Sequence, residues 1–318
     1  MILVTGANGF VGNELIRCLQ EAGRSVCAAV RSHVPLDTPG LTTTVVGSIG
    51  SKTDWQPSLK DVDTVIHLAS RVHVMRETSL DPLAEFREVN VEGTKNLALQ
   101  ASQAGVKRFI YVSTVKVNGE ISGDDPFRES DPPCPTDHYA VSKWEAEQAL
   151  WSVSQISGIE VVVIRPPLVY GPGVRANFLR LMHWVDRGYP LPFGAVRNRR
   201  SLLYLGNLVD GLIHCVDNPS AANQTFLLSD AETLSTPELI RELACALGRR
   251  ANLVNIPVGM LRIAGRVTRR SKVISRLVDS LWVDSSNIVN RLGWRPPFTV
   301  EQGLAETAMW YRNTVVSP

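Results

Sequence analysis

The sequence of 318 residues has few cysteines, no long apolar run and almost no net charge. Its five cysteines are scattered, with no pair at Cys-x-x-Cys spacing, which excludes a zinc ribbon and argues against a secreted disulfide framework. No apolar stretch approaches the ~20 residues that a membrane span needs, and the first residues do not resemble a signal peptide. A net charge of +2 gives no global basic field, so a nucleic-acid partner is not expected. These absences predict a globular cytoplasmic enzyme without a metal site.

The chain does contain a regular alternation of short apolar runs and helix-like segments over its first half. Strands are predicted at residues 2–5, 26–30, 64–68, 109–113 and 161–164, and helices at 11–22, 81–104 and 139–157. Strands that are apolar throughout and alternate with helices predict an α/β fold with a doubly wound parallel (Rossmann) sheet. We expect a sheet domain over mainly residues 1–170 and a smaller C-terminal substrate lobe over mainly 171–318, with the chain crossing back between them.

Glycines after the first predicted strand form a pattern typical of phosphate binding. Gly6, Gly9 and Gly12 allow a tight turn, close approach of a pyrophosphate to the backbone, and close packing of helix on strand. The helix N-terminus that follows attracts phosphate through its free amides and its dipole. The residues predicted to hold a dinucleotide here are Gly6, Asn8, Gly9, Phe10, Val11 and Gly12.

The end of the second predicted strand bears on the choice of dinucleotide. NAD-binding proteins usually place Asp or Glu there for the ribose hydroxyls, whereas this chain has Arg31 and Ser32. A guanidinium grips a phosphate through two parallel hydrogen bonds, and serine can donate another. NADP(H) is therefore the favoured cofactor and NAD(H) the alternative. The plainer interpretation of Arg31 is a solvated surface residue.

Tyr139 and Lys143 are four residues apart, which places both side chains on one face of the predicted helix 139–157. An adjacent ammonium and a positive nicotinamide ring are expected to lower the pKa of a phenol from its ordinary ~10. Tyr139 can then take a proton from an alcohol as hydride leaves. Ser113 and Thr114 end a predicted strand, where ligands bind in doubly wound sheets, and supply a hydroxyl to hold the substrate oxygen.

Together these motifs resemble the extended short-chain dehydrogenases/reductases, the group that contains UDP-galactose 4-epimerase and related nucleotide-sugar enzymes. The resemblance spans nearly the whole chain and includes His67-Leu68-Ala69, Val89-Asn90-Val91-Glu92-Gly93-Thr94, Arg165-Pro166-Pro167-Leu168-Val169-Tyr170-Gly171 and Leu292-Gly293-Trp294-Arg295-Pro296. It implies that Thr114, Tyr139 and Lys143 are catalytic. It also implies cofactor contacts at Leu68, Ala69, Asn90 and Pro167, in addition to Tyr139 and Lys143.

The same resemblance implies a UDP-sugar substrate held by the smaller lobe. The substrate contacts that it implies are Asn177 and Arg200 at the diphosphate, Leu191 and Phe193 beside the uracil, and His73, Lys116 and Asn118 near the sugar. Each of the last three is equally compatible with an ordinary core or loop position. Relatives often dimerise through two helices that form a four-helix bundle, so a homodimer is possible by analogy.

The leading functional hypothesis is hydride transfer from NADPH to C4 of a UDP-4-keto-6-deoxy-N-acetylhexosamine, of the UDP-N-acetylquinovosamine type, in surface polysaccharide synthesis. The alternative is redox-neutral 4-epimerisation of UDP-N-acetylglucosamine or UDP-glucose by the same three residues. A 4,6-dehydratase is disfavoured because Val115-Lys116, and not an Asp-Glu pair, follows Thr114. A non-catalytic dinucleotide-sensing protein is disfavoured because binding alone needs no phenol base.

One basic segment stands out from the near-neutral chain. Residues 261–277 contain six cations and no acid, and their apolar residues allow an amphipathic helix pair. Such a segment can rest on an anionic membrane surface. The favoured interpretation is a solvated face of the C-terminal lobe or a wall of the substrate pocket.

Overall fold

The computed structural model describes residues 1–32, 40–72 and 81–316. Its strands are β1 (Ile2–Thr5), β2 (Val26–Val30), β3 (Thr42–Val45), β4 (Thr64–His67), β5 (Arg108–Val112), β6 (Glu160–Arg165), β7 (Leu168–Tyr170), β8 (Arg200–Tyr204), β9 (Gln224–Leu227) and β10 (Thr233–Leu234). Seven of them form a parallel sheet in the order β3-β2-β1-β4-β5-β6-β9. The order reverses between β1 and β4, so the predicted doubly wound sheet is confirmed, and its ligand crevice lies at the carboxyl ends of these strands.

Helices pack on both faces of this sheet. They are α1 (Phe10–Glu21), α2 (Pro82–Arg87), α3 (Gly93–Gln103), α4 (His138–Ser157), α5 (Ala176–Asp186), α6 (Leu205–Asp217), α7 (Thr236–Ala246), α8 (Val258–Val267), α9 (Ser271–Val278), α10 (Ser286–Leu292) and α11 (Val300–Tyr311). Alternate residues of β1 enter opposite cores: Val4 packs with apolar residues of α1 and α6, and Leu3 with those of α3 and α4. Among the described residues, no helix is long and apolar enough to cross a bilayer.

Two local features depart from the sequence predictions. The predicted helix 81–104 is divided by a π-helical turn at Glu88–Glu92, which separates α2 from α3. Strand β3, at Thr42–Val45, was not predicted, because it is a short threonine-rich edge strand whose residues are mostly exposed. Such a strand lacks the apolar run that marks the buried strands.

A second core lies beyond the main sheet. Strands β7, β8 and β10 form a three-stranded sheet, and buried residues of α5, α7 and α11 pack with it around Tyr170 and Phe178. Between β8 and β10 the chain crosses back to the main sheet, because α6 packs on α1 and β9 pairs with β6. A domain boundary near residue 170 stays a prediction.

The turn from β1 to α1 requires glycine at two positions. Gly6 has φ +66°, and a Cβ atom there would lie 2.9 Å from the backbone nitrogen of Ala69. A Cβ atom at Gly12 would lie 2.2 Å from the carbonyl oxygen of Gly6. The helix therefore packs directly against the turn, and the backbone after β4 packs directly against Gly6.

A single methyl group tests this packing. We expect Gly12→Ala to lower the free energy of unfolding by about 3 kcal/mol, because only a backbone shift can relieve the contact. The matched control is Gly259→Ala in α8, where a Cβ atom would meet nothing within 4 Å. That change should stabilise by about 0.5–1 kcal/mol through helix propensity. Urea unfolding measures the free energy of unfolding of both variants. Equal changes in the two variants would contradict the packing argument.

Candidate active site

Helix α4 brings Tyr139 and Lys143 to the carboxyl end of β5. The helix begins after Asp137, whose carboxylate accepts a hydrogen bond from the Ala140 amide at 2.7 Å. The ammonium of Lys143 donates to the carbonyl oxygen of Val112, the last residue of β5, at 2.7 Å. Thr114 follows two residues later, so all three predicted catalytic residues lie at this end of the sheet.

Lys143 is almost completely buried, with 1% of its surface exposed. Its ammonium lies 4.0 Å from the centre of the Tyr111 ring, which the cation contacts face-on. Burial lowers the pKa of Lys143 to about 7, and the nearby carboxylate of Glu147 counteracts that effect. The charge of this lysine is therefore set by its protein surroundings.

The hydroxyl of Tyr139 reaches the loop after β4. It hydrogen-bonds Ser70, and its ring meets Phe86 edge-on at 6.4 Å between centroids. Burial raises the pKa of Tyr139 to about 12, and the bond to Ser70 counteracts this only in part. The lowering expected from an ammonium together with a nicotinamide ring stays a prediction. Since Ser70 follows Ala69, which contacts Gly6, the phenol lies beside the glycine turn.

A buried ion pair lies one helical turn below Lys143. Glu147 has no exposed surface, and its carboxylate accepts hydrogen bonds from Arg165 at 2.6 and 3.1 Å and from Ser113 at 2.5 Å. Sequence reasoning missed Glu147 and Arg165. The available signal was spacing, since residues four apart share a helix face, so Glu147 follows Lys143 on its face.

Asn118 belongs to this buried network. It is 2% exposed, its carbonyl oxygen accepts from Arg165 at 3.0 Å, and its amide donates to the carbonyl oxygen of Arg128 at 2.8 Å. Its amide group is therefore satisfied inside the chain. This geometry gives Asn118 a structural role, and its sugar contact stays a prediction.

Asn90 connects the loop after β4 to α4. This asparagine lies in the π-helical turn, is 1% exposed, and exchanges hydrogen bonds with both backbone groups of Arg71, at 2.7 and 3.1 Å. Its amide also donates to the hydroxyl of Ser142 on α4 at 2.9 Å. Asn90 thus fixes the position of the loop that contacts Tyr139.

His67 is a further residue that sequence reasoning did not single out. Its ring hydrogen-bonds Thr5 at 2.6 Å and Thr94 at 2.9 Å, so it links β1, β4 and α3 beneath the site. Burial, together with the charge of Lys143, lowers its pKa to about 3. A neutral imidazole here adds no second positive charge beside Lys143.

The glycine turn has the shape that a dinucleotide pyrophosphate needs. Gly9 caps α1 without any side-chain hydrogen bond, so the first amides of the helix have no side-chain acceptor. Asn8 and Gly9 are exposed, Phe10, Val11, Leu68 and Ala69 are partly buried, and Pro167 is buried. Arg31 and Ser32 are exposed directly after β2. These residues fit a nicotinamide dinucleotide.

The predicted substrate contacts are distributed over several environments. Lys116 pairs with Asp137 at 2.5 Å and with Glu120 at 3.3 Å. Asn177 is exposed in the first turn of α5. Leu191 and Phe193 are each 4% exposed and belong to the second core. His73 lies outside the described residues.

Arg200, at the start of β8, interacts electrostatically with Arg276. Arg200 donates to the carbonyl oxygen of Asp279 at 3.4 Å, and burial together with the neighbouring cation Arg276 lowers its pKa to about 10. Arg276 is 3.8 Å from Glu120. Sequence reasoning assigned Arg276 to the basic segment and not to the substrate side.

Comparisons with known proteins agree with this geometry. Residues 2–228 match the NAD dependent epimerase/dehydratase family. The chain belongs to this family. The predicted resemblance to extended short-chain dehydrogenases/reductases is thereby confirmed.

The similar proteins act on different substrates. A UDP-glucose 4-epimerase from Vibrio cholerae is 45% identical over 96% of this chain and 94% of its own length. A 3-beta-hydroxysteroid dehydrogenase from Mycolicibacterium neoaurum is 30% identical over 98% of this chain and 91% of its own. The solved structure of MoeE5 with UDP-glucuronic acid and NAD has a TM-score of 0.78, 27% identity and 99% coverage of both chains. These comparisons assign the chain to enzymes of the epimerase type.

Burial of Lys143 predicts how stability depends on pH. Its pKa is about 7 in the folded protein and 10.5 ordinarily, so the unfolded chain binds more protons between these values. The contribution of Lys143 to the free energy of unfolding is lowest below pH ~7. It rises with pH by up to about 1.4 kcal/mol per pH unit. In urea unfolding from neutral to mildly alkaline pH, the wild type should gain stability relative to Lys143→Met. For the exposed control Lys60→Met, the free energy of unfolding should change with pH as it does in the wild type. The prediction would be refuted if the free energy of Lys143→Met also changed with pH as in the wild type.

Proposed function

We propose that this protein is a nicotinamide-dinucleotide-dependent UDP-sugar 4-epimerase. The observation that carries the proposal is the position of Tyr139, which lies on α4 four residues from Lys143 and touches Ser70 beside the glycine turn. The 45% identity to a UDP-glucose 4-epimerase over nearly the whole chain supports the same reaction. The sequence alone had placed epimerisation second to reduction of a 4-keto sugar. The relatives favour epimerisation.

The proposed chemistry is assigned to three side chains. When bound, the dinucleotide would supply a hydride acceptor at C4 of the sugar and return the same hydride to the opposite face. Tyr139 takes the proton of the 4-hydroxyl and gives it back, which leaves no net redox change. Thr114 holds the same oxygen through its hydroxyl, and the ammonium of Lys143 stabilises the phenolate while it exists.

The substrate diphosphate is assigned to Arg200 and Arg276. Burial lowers the pKa of Arg200, and the charge of Arg276 lowers it further. A diphosphate between the two guanidinium groups relieves their repulsion and accepts forked hydrogen bonds. Because Arg200 starts β8 and Arg276 is on α9, this site belongs to the second core and lies outside the main sheet.

Reduction of a UDP-4-keto sugar by NADPH is the second candidate. The observation that favours it is the end of β2, where the next two residues are the exposed Arg31 and Ser32 and neither is an acid. A guanidinium at this place suits the 2′-phosphate of NADP(H). The structure of MoeE5 contains NAD, so relatives of this fold use that dinucleotide as well.

One experiment separates the two reactions. The purified protein is given UDP-glucose and UDP-N-acetylglucosamine without reductant, and in parallel a UDP-4-keto sugar with NADPH. We expect 4-epimeric product without net change in nicotinamide absorbance. Tyr139→Phe should reduce turnover by about 10²–10⁴-fold, whereas Tyr189→Phe, at a tyrosine that is 49% exposed, should not. Stoichiometric NADPH loss would favour the reductase, and full turnover by Tyr139→Phe would exclude both.

The assignment of the arginines predicts a separate kinetic signature. Arg200→Gln and Arg276→Gln should each raise KM for the UDP-sugar and weaken UDP binding by about 10–100-fold, with kcat little changed, because the diphosphate does not react. The control is Arg199→Gln, whose guanidinium stacks 4.8 Å from the Trp282 ring. Calorimetry with UDP measures the affinity directly. Unchanged UDP affinity in both variants would overturn the assignment.

A further inference from the structure

Helices α8 and α9 form a hairpin that is only lightly attached to the rest of the protein. They pack mainly on each other, through Gly265 and Ile274, where a Cβ atom at the glycine would lie 2.9 Å from the isoleucine. In α8 the buried residues are Leu261 and Gly265, and in α9 only Val278 is buried. Most of the surface of this hairpin therefore faces solvent.

The outer face of α8 carries an apolar stripe. Met260, Ile263 and Val267 are 60%, 61% and 78% exposed. Their spacing of three and four residues places them on one side of the helix. Leu261 and Gly265 lie on the opposite side, against the protein. The helix is thus apolar on both its inner and its outer face.

Cations surround this stripe. Arg266, Arg269, Arg270 and Lys272 are exposed, and within the described part of the chain no carboxylate forms an ion pair with any of them. The residues 258–278 contain no Asp or Glu at all. The end of the hairpin is therefore a concentrated positive charge next to an exposed apolar strip, which neither the dinucleotide site nor the proposed diphosphate site uses.

We propose that the α8–α9 hairpin docks this protein on an anionic phospholipid surface. A charged rim around an apolar strip is complementary to a layer of anionic headgroups above acyl chains. Ten residues of α8 are too short to span a bilayer, so the helix lies in the interface. A second copy of the chain is a poor occupant, because a two-fold interface would bring each cationic rim against its own copy.

The hairpin is next to the proposed diphosphate site. Arg276 lies in the last turn of α9, and Asp279, which follows that helix, contacts both Arg200 and Arg262. Docking would therefore place the diphosphate site near the membrane surface. The inference itself stands on the exposed surface of the hairpin and does not depend on the reaction.

Co-sedimentation with vesicles tests the proposal. We expect the protein to sediment with vesicles of phosphatidylglycerol and phosphatidylcholine, to bind pure phosphatidylcholine weakly, and to be released by salt. Arg266→Gln/Arg269→Gln should weaken binding by about thirtyfold, since each cation contributes about fivefold. Ile263→Ser/Val267→Ser should weaken it by about tenfold or more.

Matched controls separate docking from general electrostatics and from misfolding. Lys52→Gln/Lys60→Gln removes two exposed lysines of the sheet domain and should bind vesicles as the wild type does. All variants are on the exposed surface and should keep the wild-type urea midpoint and circular dichroism. The proposal is overturned if the wild type does not sediment with anionic vesicles, or if the hairpin variants bind these vesicles as well as the control does. It is equally overturned if Ile263→Ser/Val267→Ser converts a dimer to a monomer without affecting vesicle binding.

Discussion

The ammonium of Lys143 has to keep its charge in the protein interior, and much of the site is arranged around that requirement. Removal from water disfavours the cation and lowers the pKa of Lys143 to about 7, because the surroundings compensate only in part. The compensation comes from the carbonyl oxygen of Val112, the face of the Tyr111 ring and the carboxylate of Glu147. Arg165 in turn holds that carboxylate in place. Removing one partner of such a pair leaves an unpaired buried charge, which costs about 3–5 kcal/mol.

The second constraint is close backbone packing at the centre of the sheet. Gly12 lies against the carbonyl oxygen of Gly6, and Gly6 lies against Ala69 after β4. Because Tyr139 hydrogen-bonds Ser70, the same loop connects the glycine turn with the phenol. The crevice at the strand ends therefore brings the glycine turn and the Tyr139 phenol together without a long loop.

The parts of the fold and site that could be predicted are those whose sequence signal lies within a few neighbouring residues. The spacing of Tyr139 and Lys143 predicted one helix face, and α4 spans both residues. The glycine pattern predicted the turn between β1 and α1. Long-range partners carried no local signal: nothing in the sequence around Glu147 identifies Arg165, eighteen residues away on β6. Burial raises the pKa of Tyr139, and the degree of burial is not readable from neighbouring residues.

The sequence by itself determined the class of the fold, the turn that fits a dinucleotide and the residues that can transfer a proton. These follow from periodicity, from the steric freedom of glycine and from helical spacing, which all act over a few residues. Only the tertiary structure decided the state of those residues. Burial sets the pKa of Lys143 and Tyr139, pairing takes Asn118 into a buried network, and the thin packing of α8 leaves its apolar stripe exposed. Each of these depends on which distant segments meet, and that is decided by the packing of the whole chain.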